Sequence, residues 1–168
     1  MRARGKKRIV GITAILIMMM GLIPLVPMKV EAADPPISID IGTITDGASG
    51  TGYGFLSKTL TITGVGPYVI TGTTTSNRIV VDNGGSITSD ITLSGANIQF
   101  SSASAICAME ITNNSKVNLT ISGTNILKSE IYQAGLGVGV GNELTIMAGS
   151  TGSLNVLGGN SGAGIGGG

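Results

Sequence analysis

The chain has 168 residues, among them 28 glycines, only five tyrosines and phenylalanines, and neither histidine nor tryptophan. Without histidine, Ser-His-Asp and Cys-His catalysis are excluded, and the single cysteine, Cys107, cannot form an intramolecular disulfide. The formal net charge is +1, but once residues 1–32 are set aside, four basic residues remain against eight acidic ones, so nucleic acid is excluded as an expected partner.

Residues 1–32 have the composition of a secretory signal peptide. Five basic residues precede an apolar run that begins at Ile9 and that Pro24 ends, and small residues surround Ala32. The run is short for a membrane span, although an uncleaved anchor is the alternative. We expect cleavage near Ala32 and a protein that is secreted or held at the cell surface, touching the membrane only through this segment before cleavage.

Residues 33–57 predict an initial strand followed by a glycine-rich loop. Ile37, Ile39 and Ile41 alternate with polar residues, which is the period of a strand. Four glycines follow between residues 47 and 54, and such clusters are typical of loops.

One five-residue pattern of alternating apolar and polar residues recurs beyond residue 58. Its copies occupy residues 60–64, 91–95, 119–123 and 144–148, with starts 31, 28 and 25 residues apart. The alternation places the apolar residues inward and the threonines outward. Further short apolar segments lie between the copies, closed by turn-forming pairs at 82–83, 113–114 and 141–142. A period of this length indicates a solenoid.

These repeats predict an all-β fold. We expect a right-handed parallel β-helix, a β-solenoid of about three to four coils over residues 58–168. A β-sandwich is the alternative, but it gives no reason for one pattern to return at matching offsets. The last repeat stops at the glycine-rich residues 158–168, so we expect the solenoid to be incomplete at the C-terminus, either in a fragment or in a truncated gene.

Stacked coils should bring equivalent residues of successive repeats into columns. The leading apolar residues are expected in one interior column, the asparagines in an amide ladder and the threonines in a ladder on the outer face. The members of these three columns are Leu60, Ile91, Leu119 and Leu144; Asn97 and Asn125; and Thr61, Thr92, Thr120 and Thr145. Cys107 lies in an apolar run and is expected to pack in the interior.

The sequence assigns no catalytic residue, ligand-binding residue, metal ligand or cofactor. Carboxylates can cleave glycans without histidine, so Asp82, Asp90 and Glu110 are the candidates to follow, with Lys116 or Arg78 as charge partners. Their clustering in one groove would favour a polysaccharide lyase or hydrolase on a β-helix. Their dispersal would favour our main hypothesis, a non-enzymatic, adhesin-like scaffold that is secreted or displayed on the cell surface and binds carbohydrate.

Four segments resemble a family of exported bacterial surface proteins with β-strand repeats, described as carbohydrate-binding-domain proteins. They are residues 117–125, 134–146, 152–159 and 162–167, and the resemblance covers about residues 78–168. It implies a β-helical stalk outside the cell that continues through more coils to wall-binding modules. The partners it implies are glycans or cell-wall polysaccharide.

Overall fold

The computed structural model describes residues 34–101 and 105–167, so the predicted signal peptide lies outside the described residues. All regular structure in these two ranges is β-strand. In chain order the strands are β1 (Ile37–Asp40), β2 (Ser49–Gly50), β3 (Tyr53–Leu56), β4 (Thr59–Ile62), β5 (Tyr68–Thr71), β6 (Thr73–Thr74), β7 (Arg78–Val81), β8 (Thr88–Ser94), β9 (Asn97–Gln99), β10 (Met109–Ile111), β11 (Lys116–Ser122), β12 (Thr124–Lys128), β13 (Leu136–Val138), β14 (Glu143–Ile146), β15 (Ser153–Leu157) and β16 (Ile165–Gly166). In this part of the chain there is also no helix with the length and hydropathy needed to cross a membrane.

The strands form three sheets. Sheet A has the order β1-β5-β8-β11-β14, sheet B the order β16-β13-β10-β7-β4-β3-β2, and sheet C the order β15-β12-β9-β6. Apart from β2 and β3, every strand pairs parallel with its counterpart one turn away. The prediction of a parallel β-solenoid is therefore confirmed, and the β-sandwich alternative is wrong because its sheets would be antiparallel.

The number of turns differs from our expectation of three to four. Sheet A contains five strands, and the solenoid has about five turns. The additional turn arises because β1, which precedes the recurring pattern, pairs in register with β5. The alternation of apolar and polar residues in β1 does not predict this pairing, because the recurring five-residue pattern starts only at residue 60.

The interior is filled by apolar residues, most of them aliphatic, that alternate with outward residues. One inward column of sheet A follows the strand register through Ile37, Tyr68, Ile91, Leu119 and Ile146. The three central members are at most 1% exposed. Burying a side chain of this size contributes about 1.5–3 kcal/mol, so these columns are the main source of stability.

The fourth copy of the recurring pattern is shifted by two residues from its predicted place. Ile91 and Leu119 pair as expected, but Leu144 pairs with Val117, and Ile146 occupies the place beside Leu119. A shift of two residues keeps the same side of the strand facing inward. Alternation therefore cannot distinguish the two registers.

The first copy of the pattern belongs to a different sheet. Leu60 is fully buried, as predicted, but it lies in β4 of sheet B, opposite Ile79. The expectation that it shares a column with Ile91 is wrong. All three sheets of a solenoid use the same alternation, and so the pattern does not identify the sheet.

An antiparallel hairpin covers the N-terminal edge of sheet B. β2 pairs with β3, and β3 pairs with β4, which leaves Phe55 5% exposed. The hydroxyl of the buried Tyr68 donates a hydrogen bond to the carbonyl oxygen of Gly52 at 3.0 Å. Burial raises the pKa of Tyr68, which keeps the hydroxyl a donor. Covering an edge in this way protects its unpaired backbone groups.

The corners between sheets B and A are held by asparagine and serine side chains. Asn113 and Asn114 have φ values of 54° and 58°, in the left-handed region that asparagine tolerates, as the predicted turn requires. The backbone N–H of Asn83 donates to Ser115 Oγ at 2.8 Å, and the N–H of Ser115 donates to Asn142 Oδ1 at 2.9 Å. These two bonds connect three successive turns.

The predicted asparagine ladder is wrong. Asn97 lies opposite Ile126 on the outer face, and its Oδ1 accepts a hydrogen bond from Gln99 Nε2 at 2.8 Å. Asn125 is fully buried and accepts a hydrogen bond from the N–H of Ala96 at 2.9 Å. Paired residues of β9 and β12 in sheet C are 29 residues apart, whereas paired residues of β8 and β11 in sheet A are 28 apart. The later turn therefore has one additional residue at the corner between the two sheets. This residue places Asn97 and Asn125, which are equivalent in the sequence pattern, on opposite faces of sheet C.

Candidate functional site

The three carboxylates singled out from the sequence lie on different parts of the solenoid. Glu110 is on the outer face of sheet B, Asp90 is on that of sheet A, and Asp82 follows β7 at a corner. Their hydrogen-bond partners are Arg78 for Glu110 at 3.1 Å, Asn118 for Asp90 at 2.9 Å and Asn113 for Asp82 at 3.0 Å. The structure therefore does not bring the three together in one groove.

The two proposed charge partners also separate. Arg78 forms an ion pair with Glu110, whereas Lys116 begins β11 and lies opposite Glu143 on sheet A. Across residues 34–101 and 105–167, no three Cys, Asp or Glu side chains are grouped so that they could hold a metal ion.

A groove of about 290 Å³ lies on the outside of sheet B and includes Glu110. Its lining residues are Cys107, Glu110, Ile111, Thr112, Gln133, Gly137, Gly139 and Asn142. Gly137 of β13 pairs with Glu110 of β10. Because glycine has no side chain, Cys107 Sγ fills the place beside Glu110, where a Cβ on residue 137 would lie only 2.8 Å from the sulfur. Gly137 and the Cys107 thiol together form the floor of the groove.

Arg78 fixes the position of Glu110 in this groove. Its Nη1 donates to Glu110 Oε2 at 3.1 Å, and its Nε donates to Thr59 Oγ1 at 3.4 Å. The two ion-paired side chains are 27% and 35% exposed. A pair this exposed contributes little stability, but it orients the carboxylate. Among the described residues nothing donates to the other oxygen, Oε1, which is available as an acceptor.

Gln133 is oriented by the thiol of Cys107. The Sγ–H donates to Gln133 Oε1 at 3.6 Å, a distance suited to the large sulfur atom. Burial raises the pKa of Cys107, the charge of Glu110 raises it further, and Arg78 opposes both. The thiol therefore stays protonated at neutral pH and remains a donor. With its oxygen engaged in this way, Gln133 presents its Nε2 amide as a donor.

The rim on the other side is held by backbone contacts. Thr112 Oγ1 donates to the carbonyl oxygen of Val81 at 3.2 Å, and Asn142 Nδ2 donates to that of Gly139 at 3.0 Å. For further hydrogen bonds, Thr112 still offers an acceptor lone pair and Asn142 a second amide hydrogen. The groove therefore carries fixed donors and acceptors on both of its sides.

Sequence reasoning identified Glu110 but missed the other members of this groove. The available signal was Gly137, which interrupts an outward row that is otherwise occupied by Val80 and Glu110. Gln133 carries no signal of its own, since it lies in a loop whose path the repeat pattern does not determine.

The predicted threonine ladder is present only in part. Thr92 and Thr120 pair on the outer face of sheet A. Thr145 instead pairs with Asn118, and Thr61 belongs to sheet B, opposite Val80. The reasons are the two-residue shift and the change of sheet described above. The outer face of sheet A is therefore a mixed polar surface and not a uniform row of hydroxyl groups.

The fold and the groove together define the structural class of the protein, which is a parallel β-solenoid with a polar groove on the outside of one sheet. The chain belongs to the family of carbohydrate-binding domain-containing proteins, whose family model matches residues 57–165. The match begins earlier than the resemblance over residues 78–168 that we expected. Searches of curated proteins and of solved structures found no match.

Proposed function

We propose that this chain is a non-enzymatic, adhesin-like β-solenoid scaffold that binds carbohydrate in the groove on sheet B and acts outside the cell. The observation that carries the proposal is the groove itself, in which the side chains of Glu110 and Gln133 are both held by hydrogen bonds. Membership of a carbohydrate-binding domain family supports the same ligand class.

The groove offers what a sugar ring requires. Each hydroxyl group both donates and accepts hydrogen bonds, so its site needs an acceptor and a donor in fixed positions. Glu110 Oε1 is the acceptor and Gln133 Nε2 the donor. Both side chains are already oriented, by Arg78 and Cys107 respectively. Preorganisation of this kind lowers the entropy cost of binding.

Dispersal of the carboxylates supports binding over cleavage. Glycoside hydrolases of the usual kind hold two carboxyl groups about 5–10 Å apart on either side of the scissile bond. Here Asp90 and Glu110 belong to different sheets. Glu110 is also ion-paired with Arg78, and among the described residues no second carboxylate lines its groove.

An extracellular location is supported by residues 1–32, whose basic start and apolar run have the character of a secretory signal. If the segment is cleaved, mass spectrometry of the chain recovered outside the producing cell should give an N-terminus near Ala33. Recovery of an intact leader on a cell-retained chain would contradict this part of the proposal.

Replacing Gln133 with alanine tests the groove directly. We expect the variant to bind soluble polysaccharides about three- to tenfold more weakly, the effect of losing one neutral hydrogen bond. The measurement is calorimetric titration of the full chain with a panel of glucan, mannan, xylan, galactan, polygalacturonate and chitosan.

Gln99→Ala is the matched control, because Gln99 lies on the outer face of sheet C. It should leave binding unchanged. A wild-type chain that binds no member of the panel would overturn the proposed function, and so would equal losses in the two variants.

A further inference from the structure

We infer that the groove selects an uncharged sugar residue, bound through neighbouring hydroxyl groups, over sugars that carry a carboxylate, a sulfate or an amine. This inference rests on the proposed function and names the class of ligand within it. It depends on how the charges in and around the groove are already paired.

The one cation beside the groove is engaged in the described structure. Arg78 donates from Nη1 to Glu110 and from Nε to Thr59. An acidic sugar would have to compete with Glu110 for the guanidinium and would leave two carboxylates around one cation. Like charges at this distance repel, so the pair disfavours an anionic ligand.

The other basic residues do not line the groove. Lys58 precedes β4, Lys116 is on sheet A, and Lys128 is on the outer side of sheet C. After residue 32 the chain has four basic residues and eight acidic ones, so its long-range field also repels polyanions. Among the described residues that line the groove, none is the arginine or lysine that an acidic glycan needs.

The same pairing disfavours a cationic amino sugar. The charge of Glu110 is largely balanced by Arg78 at 3.1 Å. Gln133 Nε2 adds a donor that an ammonium group cannot satisfy, because an ammonium has no acceptor. A pair of hydroxyl groups satisfies both positions, donating to Glu110 Oε1 and accepting from Gln133 Nε2.

The test is a charge change at Glu110. In the wild-type chain we expect at least one of the neutral probes glucan, mannan, xylan and galactan to bind more tightly than polygalacturonate or chitosan, with little dependence on salt. In Glu110→Gln, binding to the neutral probe should weaken about tenfold or more, since a charged hydrogen bond is lost. The released Arg78 should then increase binding to polygalacturonate at low salt.

Asp90→Asn is the matched control, because it makes the same charge change on the outer face of sheet A. It should alter neither affinity, and thermal melts should confirm that both variants fold. Salt-sensitive wild-type binding that favours polygalacturonate or chitosan would overturn this inference and leave the proposed function standing. Unchanged neutral binding in Glu110→Gln would also overturn it. Binding to none of the probes would overturn both.

Discussion

Replacing Leu119 with alanine is expected to lower the free energy of unfolding by about 2–5 kcal/mol. Leu119 is fully buried and lies in the inward column of sheet A, between Ile91 and Ile146. The substitution removes apolar contacts and leaves a cavity that neighbouring turns cannot fill without shifting. Urea titration monitored by circular dichroism measures the change.

Thr120→Ala is the control, since Thr120 is the next residue on the same strand but lies on the outer face. It should change stability by less than about 1 kcal/mol. Equal destabilisation by the two variants would mean that residues 119 and 120 do not alternate between interior and surface.

Replacing Asn125 with alanine is expected to cost about 3 kcal/mol, although it removes little apolar area. The buried amide accepts from the N–H of Ala96 at 2.9 Å and donates to the carbonyl oxygens of Ser122 at 2.9 Å and Ser153 at 3.2 Å. It therefore connects three successive turns. Truncation would leave the N–H of Ala96 without a partner in the interior, at a cost of about 1–3 kcal/mol, whereas the carbonyl oxygen of Ser122 also accepts from the N–H of Gly95 at 3.3 Å.

Asn97→Ala is the comparison that isolates this effect. Both asparagines stand two residues after a glycine, but Asn97 lies on the outer face, where its side chain accepts a hydrogen bond from Gln99. We expect a change below about 1 kcal/mol for Asn97→Ala. A denaturation midpoint that falls equally in the two variants would contradict the assignment of Asn125 to the interior.

These two residues show how far the sequence alone determines the fold. Alternation and recurrence correctly gave parallel stacked coils, because both follow directly from side-chain geometry along a strand. They could not give the residue count at each corner. One additional residue there moves Asn125 inside while Asn97 stays outside, and no local property of either asparagine signals the difference.

The same limit applies to the groove. Glu110 could be selected because a carboxylate with a nearby cation is recognisable in a sequence, and Arg78 was among its predicted partners. Gln133 and Asn142 could not be selected, because they enter the groove from loops on the next turn. Their place depends on the path of those loops, which tertiary packing decides and the strand period does not.

The most direct test of the binding site is a nitrogen-15 NMR titration of the full chain with neutral hexasaccharides of glucose, mannose, xylose and galactose. We expect one of them to shift the amide signals of Glu110, Gln133 and Gly137, which line the groove on sheet B. The signals of Thr92 and Thr120 on sheet A should stay in place. Shifts confined to Thr92 and Thr120, with Gly137 unmoved, would contradict the assignment of carbohydrate binding to the groove.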